Sequence, residues 1–155
     1  HDQILEIRFP LEKAVQVPMP PILERILGLW PLFVGKNRFD LLVHLPSQDD
    51  VTQFIPDYYE LLEIPVRGII LTSKSEDERF DFISRFFAPR VGINEDPVTG
   101  SAHSCLAHYW SSLLGKKELF AYQASARGGE IRMRMADDHV ILGGYAVTVL
   151  KGELL

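Results

Sequence analysis

Apolar and polar residues alternate over residues 3–9 (QILEIRF), a period of two that predicts a half-buried strand. Prolines 10, 18, 20 and 21 bar a helix interior or a central strand from 10–21, so that stretch is expected to be an extended connection. Pro21 suits the first turn of a helix whose Ile22, Leu23, Ile26 and Leu27 share a face, with Gly28 as its stop. FDLLVHL (39–45) reads as a strand ended by Pro46. Ser47 followed by Asp50 resembles a capping box and predicts a short helix over 48–54. YYELLEI adds another turn or two of helix, and RGIILTS (67–73) is a buried-looking strand. The charged KSEDER forms a solvated tip before FDFISRFFAP (80–89), which alternates up to a proline stop.

Beyond residue 115 the period is again two. ELFAYQASA, a turn at RGG, EIRMRMA, a turn at ADD, and HVILGGYAVTVLKGEL predict antiparallel hairpins. In EIRMRM, Glu130, Arg132 and Arg134 form a wet face against Ile131, Met133 and Met135. Between the two strand-rich ends lies one apolar helix. At roughly 100° per residue, Ala102, Cys105, Leu106, Tyr109, Trp110 and Leu113 fall in one stripe, and Gly115 supplies the stop. The fold class expected is α+β, with strands at both ends and one strongly apolar helix between them.

Composition narrows the functions. A chain of 155 residues, 46% hydrophobic, can bury a core as one domain without staples. Net charge −5 argues against nucleic acid or an anionic membrane surface as partner. No apolar run reaches the roughly 18 residues that span a bilayer, so a cytoplasmic location is expected. Cys105 is the single cysteine, which excludes an internal disulfide and a multi-cysteine zinc site. The opening HDQILEIRF lacks an initiator methionine and a leader, so the chain is expected to start inside a longer polypeptide.

The candidate chemistry lies in GINEDPVTGSAHS (92–104), where two acids, a proline and a Thr-Gly-Ser turn precede the helix. Thr99 or Ser101 is a natural N-cap. The Gly100 amide and its neighbours point out of the helix start, where unpaired N–H groups and the macrodipole together attract an anion. The plain alternative is that Thr99, Gly100 and Ser101 only cap the helix while Asp96 and Pro97 form a turn. Ser101 and His103 do not face each other at a spacing of two, and His103 and His108 lie about 140° apart, poor for one metal ion. Cys105 and His108 share a side, but two ligands do not make a site, and Cys105 reads as a core residue. The Gly-Lys-Ser of a P-loop is missing.

SRFFAPRVGINEDPVTGSAHSCLAHYW, LFAYQASARGG and VILGGYAVTVLKGEL together resemble the second half of the phenazine-biosynthesis-like (PhzF-like) isomerases, relatives of diaminopimelate epimerase. The resemblance covers nearly the whole chain. It implies a two-domain protein of similar halves, each an antiparallel sheet or barrel curled around a central helix, with the active site in the cleft between them, residues 1–155 being the C-terminal domain and the N-terminal sister domain absent. It implies further that Asp96 is an active-site carboxylate, and that the Gly100 and Ser101 amides hold the carboxylate of a small cyclic or aromatic acid. The reaction implied is a proton shift without cofactor or metal, with a glutamate of the missing half as principal acid/base. Paired-cysteine racemase chemistry does not fit, since Cys105 lies within the helix.

Three lesser readings complete the picture. Arg127, Gly128 and Gly129 match an RGG turn in which the glycines permit positive φ and Arg127 is structural. Arg85 either points to the cleft or pairs with Asp81 or another carboxylate, and His44 and His139 are core or surface histidines. A homodimer is expected from the apolar face left by the missing half. The rival function is a non-catalytic binding or interaction module on the same fold.

Overall fold

The computed structural model describes residues 4–153. Nine strands form one sheet in the order β1-β9-β8-β7-β6-β5-β4-β3-β2. They are β1 (Ile4–Pro10), β2 (Val15–Gln16), β3 (Phe33–Lys36), β4 (Asp40–His44), β5 (Gly68–Lys74), β6 (Phe82–Phe87), β7 (Glu118–Gln123), β8 (Gly129–Met135) and β9 (His139–Tyr145). The helices are α1 (Pro21–Leu27), α2 (Gln48–Thr52), α3 (Tyr58–Leu62) and α4 (Gly100–Leu114). A 3-10 turn, Pro89–Val91, ends β6.

α4 is the axis around which the sheet closes. Tyr109 of α4 stacks on Phe33 of β3 with ring centroids 4.9 Å apart, and its hydroxyl lies 2.8 Å from His44 Nδ1 of β4. Trp110 donates from Nε1 to Thr72 Oγ1 of β5 (3.0 Å) and lies parallel to Phe82 of β6 at 5.3 Å. At the other edge, Ser104 Oγ donates to the Pro10 carbonyl of β1. Nine flat strands would span about 38 Å, whereas a helix with its side chains is about 10–12 Å across. One helix touches both ends of such a sheet only if the sheet curls round it. The α+β fold of a sheet wrapped on a central helix therefore holds, with two refinements: β4 pairs with β5, and β6 with β7, in parallel.

Two cores explain the two kinds of strand. The inner one collects Leu42, Ile70, Phe82, Leu106, Trp110, Ala121, Ile131, Met133 and Val140 around α4. The outer one packs Leu41, Val43, Ile69, Leu71, Ile83 and Phe87 against Leu23 of α1, Val51 of α2 and Leu61 of α3. β4 and β6 are therefore buried on both faces throughout, and β5 up to its last residue, which is why their sequences read as near-continuous apolar runs. β7 and β8 keep a wet outer face and alternate.

The caps behave as their residues dictate. Ser47 and Asp50 form the capping box at α2, and Gly28 and Gly115 end α1 and α4 at φ 64° and 67°. α2 ends at Thr52, short of the expected residue 54, and α3 supplies the expected turn or two after Asp57.

Four expectations need correction. β2 and β3 were not anticipated; β2 has two residues within the proline-rich stretch, paired only at the sheet edge. Leu113 is exposed rather than part of the buried stripe, because the last turn of α4 presents Leu114 to the inner core instead. Gly129 needs no positive φ; only Gly128 does. The last strand stops at Tyr145, which lies opposite Ile4 of β1, and 146–153 is outside any strand. The expected strand start at Gln3 and the end of the last strand at Leu154 lie outside the described residues.

Candidate functional site

The segment between the 3-10 turn and α4 is pinned residue by residue. The Asp96 amide donates to the Phe86 carbonyl (3.0 Å), and Ser125 Oγ donates to the Pro97 carbonyl (2.8 Å). Gln123, at the end of β7 and fully buried, does most. Its Oε1 accepts from the Thr99 amide (2.8 Å), and its Nε2 donates to the Asp96 carbonyl (2.6 Å) and to Thr99 Oγ1 (3.2 Å). Thr99 Oγ1 in turn donates to Asp96 Oδ2 (2.5 Å). An amide, a hydroxyl and a carboxylate thus stand in series, and the aspartate side chain is held beside the helix start, half-buried.

This wiring takes the Thr99 hydroxyl out of helix capping. Thr99 occupies the N-cap position, but its hydroxyl serves Asp96 and makes no cap bond to the helix. Ser101 lies in the first turn, where its Oγ accepts from Arg67 Nη2 (3.0 Å). The first intrahelical bond is His103 N–H to the Thr99 carbonyl (3.1 Å). The Gly100 and Ser101 N–H groups have no acceptor among the described residues, so α4 begins uncapped. Gly100 is glycine for a steric reason: a Cβ there would lie 2.7 Å from Cζ of Phe9.

His103 supports the turn from within. It is fully buried, with Nδ1 2.7 Å from the Thr99 carbonyl and Nε2 3.4 Å from Ser84 Oγ. A carbonyl only accepts, so Nδ1 carries the proton and Ser84 donates to Nε2. Burial pushes its pKa down to about 4, so the ring is neutral at physiological pH. Cys105 is buried in the inner core, and burial raises its thiol to about 11, leaving it unreactive. Among the described residues no cluster of three or more His, Cys, Asp or Glu stands ready for a metal. No described helix is long and apolar enough to cross a membrane.

The other sequence candidates fall away from the helix start. Arg85 is nearly buried and grips Glu95, with Nε at 2.7 Å from Oε1 and Nη2 at 3.0 Å from Oε2, while Nη1 donates to the Phe54 carbonyl (2.6 Å). Its partner is Glu95 and not Asp81, which pairs with Lys116. Arg127 is exposed on its turn, which is held instead by the Gly128 amide donating to Ser125 Oγ (3.1 Å). Gly129 admits Val98, whose Cγ2 would meet an added Cβ at 2.2 Å. Two concavities of about 400 and 390 Å³ lie on the sheet's outer side, one near Phe120, Arg132 and Ile141, the other near Gln48, Arg79 and Tyr122. Neither is lined by residues 96–101.

The family model for phenazine biosynthesis-like proteins, PhzC-PhzF, matches residues 29–152. The chain belongs to this family. It is 50% identical over 152 residues to an uncharacterized isomerase of Halalkalibacterium halodurans, covering 97% of this chain and 57% of the relative. A second uncharacterized isomerase, from Pseudomonas aeruginosa, is 42% identical over 153 residues, 99% of this chain and 58% of that protein. A crystal structure of a PhzF-family phenazine biosynthesis protein from Enterococcus faecalis superposes with TM-score 0.89 at 35% identity, covering 100% of this chain and 59% of that one. The chain therefore spans a little over half the length of these family members.

Three members of the cluster escaped the sequence reading: Gln123, Arg67 and Phe9. Gln123 sits in an alternating strand at a position whose burial the sequence leaves open, and Phe9 reads as one more apolar strand residue. Arg67 precedes a buried strand and looks like its solvated edge. Their roles come from contacts across 24 to 34 residues for Gln123 and Arg67, and from the approach of β1 to the start of α4 for Phe9. A buried polar residue must find partners, and that is the signal a strand glutamine carried.

Proposed function

We propose that residues 96–101 form one wall of an isomerase site for a small cyclic or aromatic carboxylic acid. The observation that supports this most directly is the uncapped start of α4 beside a positioned aspartate. A bound carboxylate accepts from the Gly100 and Ser101 amides, replacing the cap that Thr99 withholds. When a proton leaves a carbon conjugated with that carboxylate, the negative charge spreads onto its oxygens, and the same donors stabilise it. Asp96 holds or relays the proton on the facing side, through the oxygen that Thr99 does not occupy. The proton lost from one carbon is returned to another, so no oxidant, reductant or cofactor is required by the balance. The opposing acid/base comes from a sister domain, in keeping with family members of nearly twice this length.

The test is proton exchange. In the protein that carries both walls, a cyclic carboxylate substrate incubated in heavy water takes up deuterium at the reacting carbon. Asp96→Asn abolishes that uptake while leaving the fold and the carboxylate affinity intact. Full uptake in the variant removes Asp96 from the reaction; carboxylate binding without any uptake in the unaltered protein favours the binding module instead.

A further inference from the structure

Arg67 enters the site through Ser101, and its hydrogen bonds leave it little freedom. Nε donates to Asp40 Oδ1 (2.8 Å), and Nη2 donates to Asp40 Oδ2 (2.5 Å) and Ser101 Oγ (3.0 Å). Asp40 is fully buried on β4. It fits there because residue 68 is glycine: an added Cβ would lie 3.2 Å from Asp40 Oδ1 and 2.3 Å from Phe86 Cζ. The guanidinium carbon also lies 4.9 Å from the Phe39 ring centroid and 5.8 Å from that of Phe86. A planar fork bonded to one carboxylate and stacked near two rings has one orientation.

We infer that Arg67 is a positioning residue that makes Ser101 an obligate hydrogen-bond donor, so that the helix start selects an ionised carboxylate over its neutral amide. A hydroxyl has one hydrogen and two lone pairs, whereas a guanidinium only donates. With Arg67 filling a lone pair, the Ser101 hydrogen cannot point back at Arg67, and it finds no acceptor among the described residues. The start of α4 then offers three donors: the Gly100 N–H, the Ser101 N–H and the Ser101 O–H. A carboxylate meets them with acceptors alone, while an amide turns its own NH2 toward at least one of them or leaves it unmatched. Because Asp40 balances the charge of Arg67, what Arg67 adds is direction rather than net charge.

This inference rests on the carboxylate reading of the site, and the test separates the two. The Gly100 and Ser101 amide resonances are followed by two-dimensional NMR while benzoate, or benzamide, is titrated into the chain, its Ser101→Ala and Arg67→Lys variants, and the double variant. Arg67→Lys keeps a cation against Asp40 but cannot serve Asp40 and Ser101 together. It is expected to hold the melting temperature within a few degrees and yet to lower the preference for benzoate about tenfold, as Ser101→Ala does. In the double variant the loss is no larger than in Ser101→Ala, within about twofold, because both changes remove one donor. Should Arg67→Lys fail to fold, Asp40→Asn frees the fork at nearly constant shape and is expected to show the same loss. Multiplying losses in the double variant, or an unchanged preference in a folded Arg67→Lys or Asp40→Asn, overturn the role of Arg67 alone. Equal binding of benzoate and benzamide by the unaltered chain overturns the carboxylate site itself.

Discussion

Gln123 Nε2 stands 2.6 Å from the carbonyl oxygen of Asp96, and the other end of the same amide receives the Thr99 N–H at 2.8 Å. One buried side chain therefore bridges both ends of the 96–99 turn, and it sets where the Asp96 carboxylate and the first amides of α4 lie relative to each other.

Replacing Gln123 by Leu keeps the volume but strands a buried N–H and a carbonyl. The expected cost is about 2–4 kcal/mol in urea unfolding. Benzoate shifts at the Gly100 and Ser101 amides should weaken as well. A variant of unchanged stability would show that the turn holds itself.

Gly100→Ala is expected to lower stability by about 1–3 kcal/mol, since the new methyl meets the Phe9 ring. Phe9→Leu in the same chain should recover part of that loss, because the clash is with the ring's far edge. Thermal melts of the three variants check this, and equal losses in the single and double variants would point to the backbone instead.

Acid should weaken the fold through His103. Its pKa is about 4 folded and 6.5 unfolded, so between those values the unfolded chain binds the extra proton. The contribution is complete above pH 6.5 and falls away as the pH drops toward 4, by on the order of 3 kcal/mol. Burial lowers His44 too, which acts in the same direction. Urea midpoints measured across this window should decline with acid, and His103→Leu should flatten the decline.

Glu95→Ala leaves the Arg85 guanidinium without its carboxylate in a nearly buried position. The expected loss is about 2–3 kcal/mol by chemical denaturation. Because Glu95 adjoins Asp96, the Asp96 amide should also exchange faster with solvent, which hydrogen exchange would detect.

Legibility followed the range of the interaction. Ser47 with Asp50, Pro21 with Gly28, and Gly115 were readable because each cap is made within a few residues. The Thr99 hydroxyl was not, for it could serve its own helix or a neighbouring carboxylate, and local pattern cannot choose. The partner of Arg85 was assigned to any available acid for the same reason. The segment after Tyr145 carried a strand pattern yet 146–153 forms no strand, since alternation is local and a ladder partner is not.

By itself the sequence determined most of the elements, the apolar helix at the centre and the polar turn ahead of it, because period and capping chemistry are local properties of the chain; β2 and β3, at one edge of the sheet, it did not mark. Only the tertiary structure decided that Gln123, Arg67 and Phe9 meet at that turn. Their approach depends on strand order and on the sheet closing around α4, and an alternating pattern records which face is buried without recording what lies across from it.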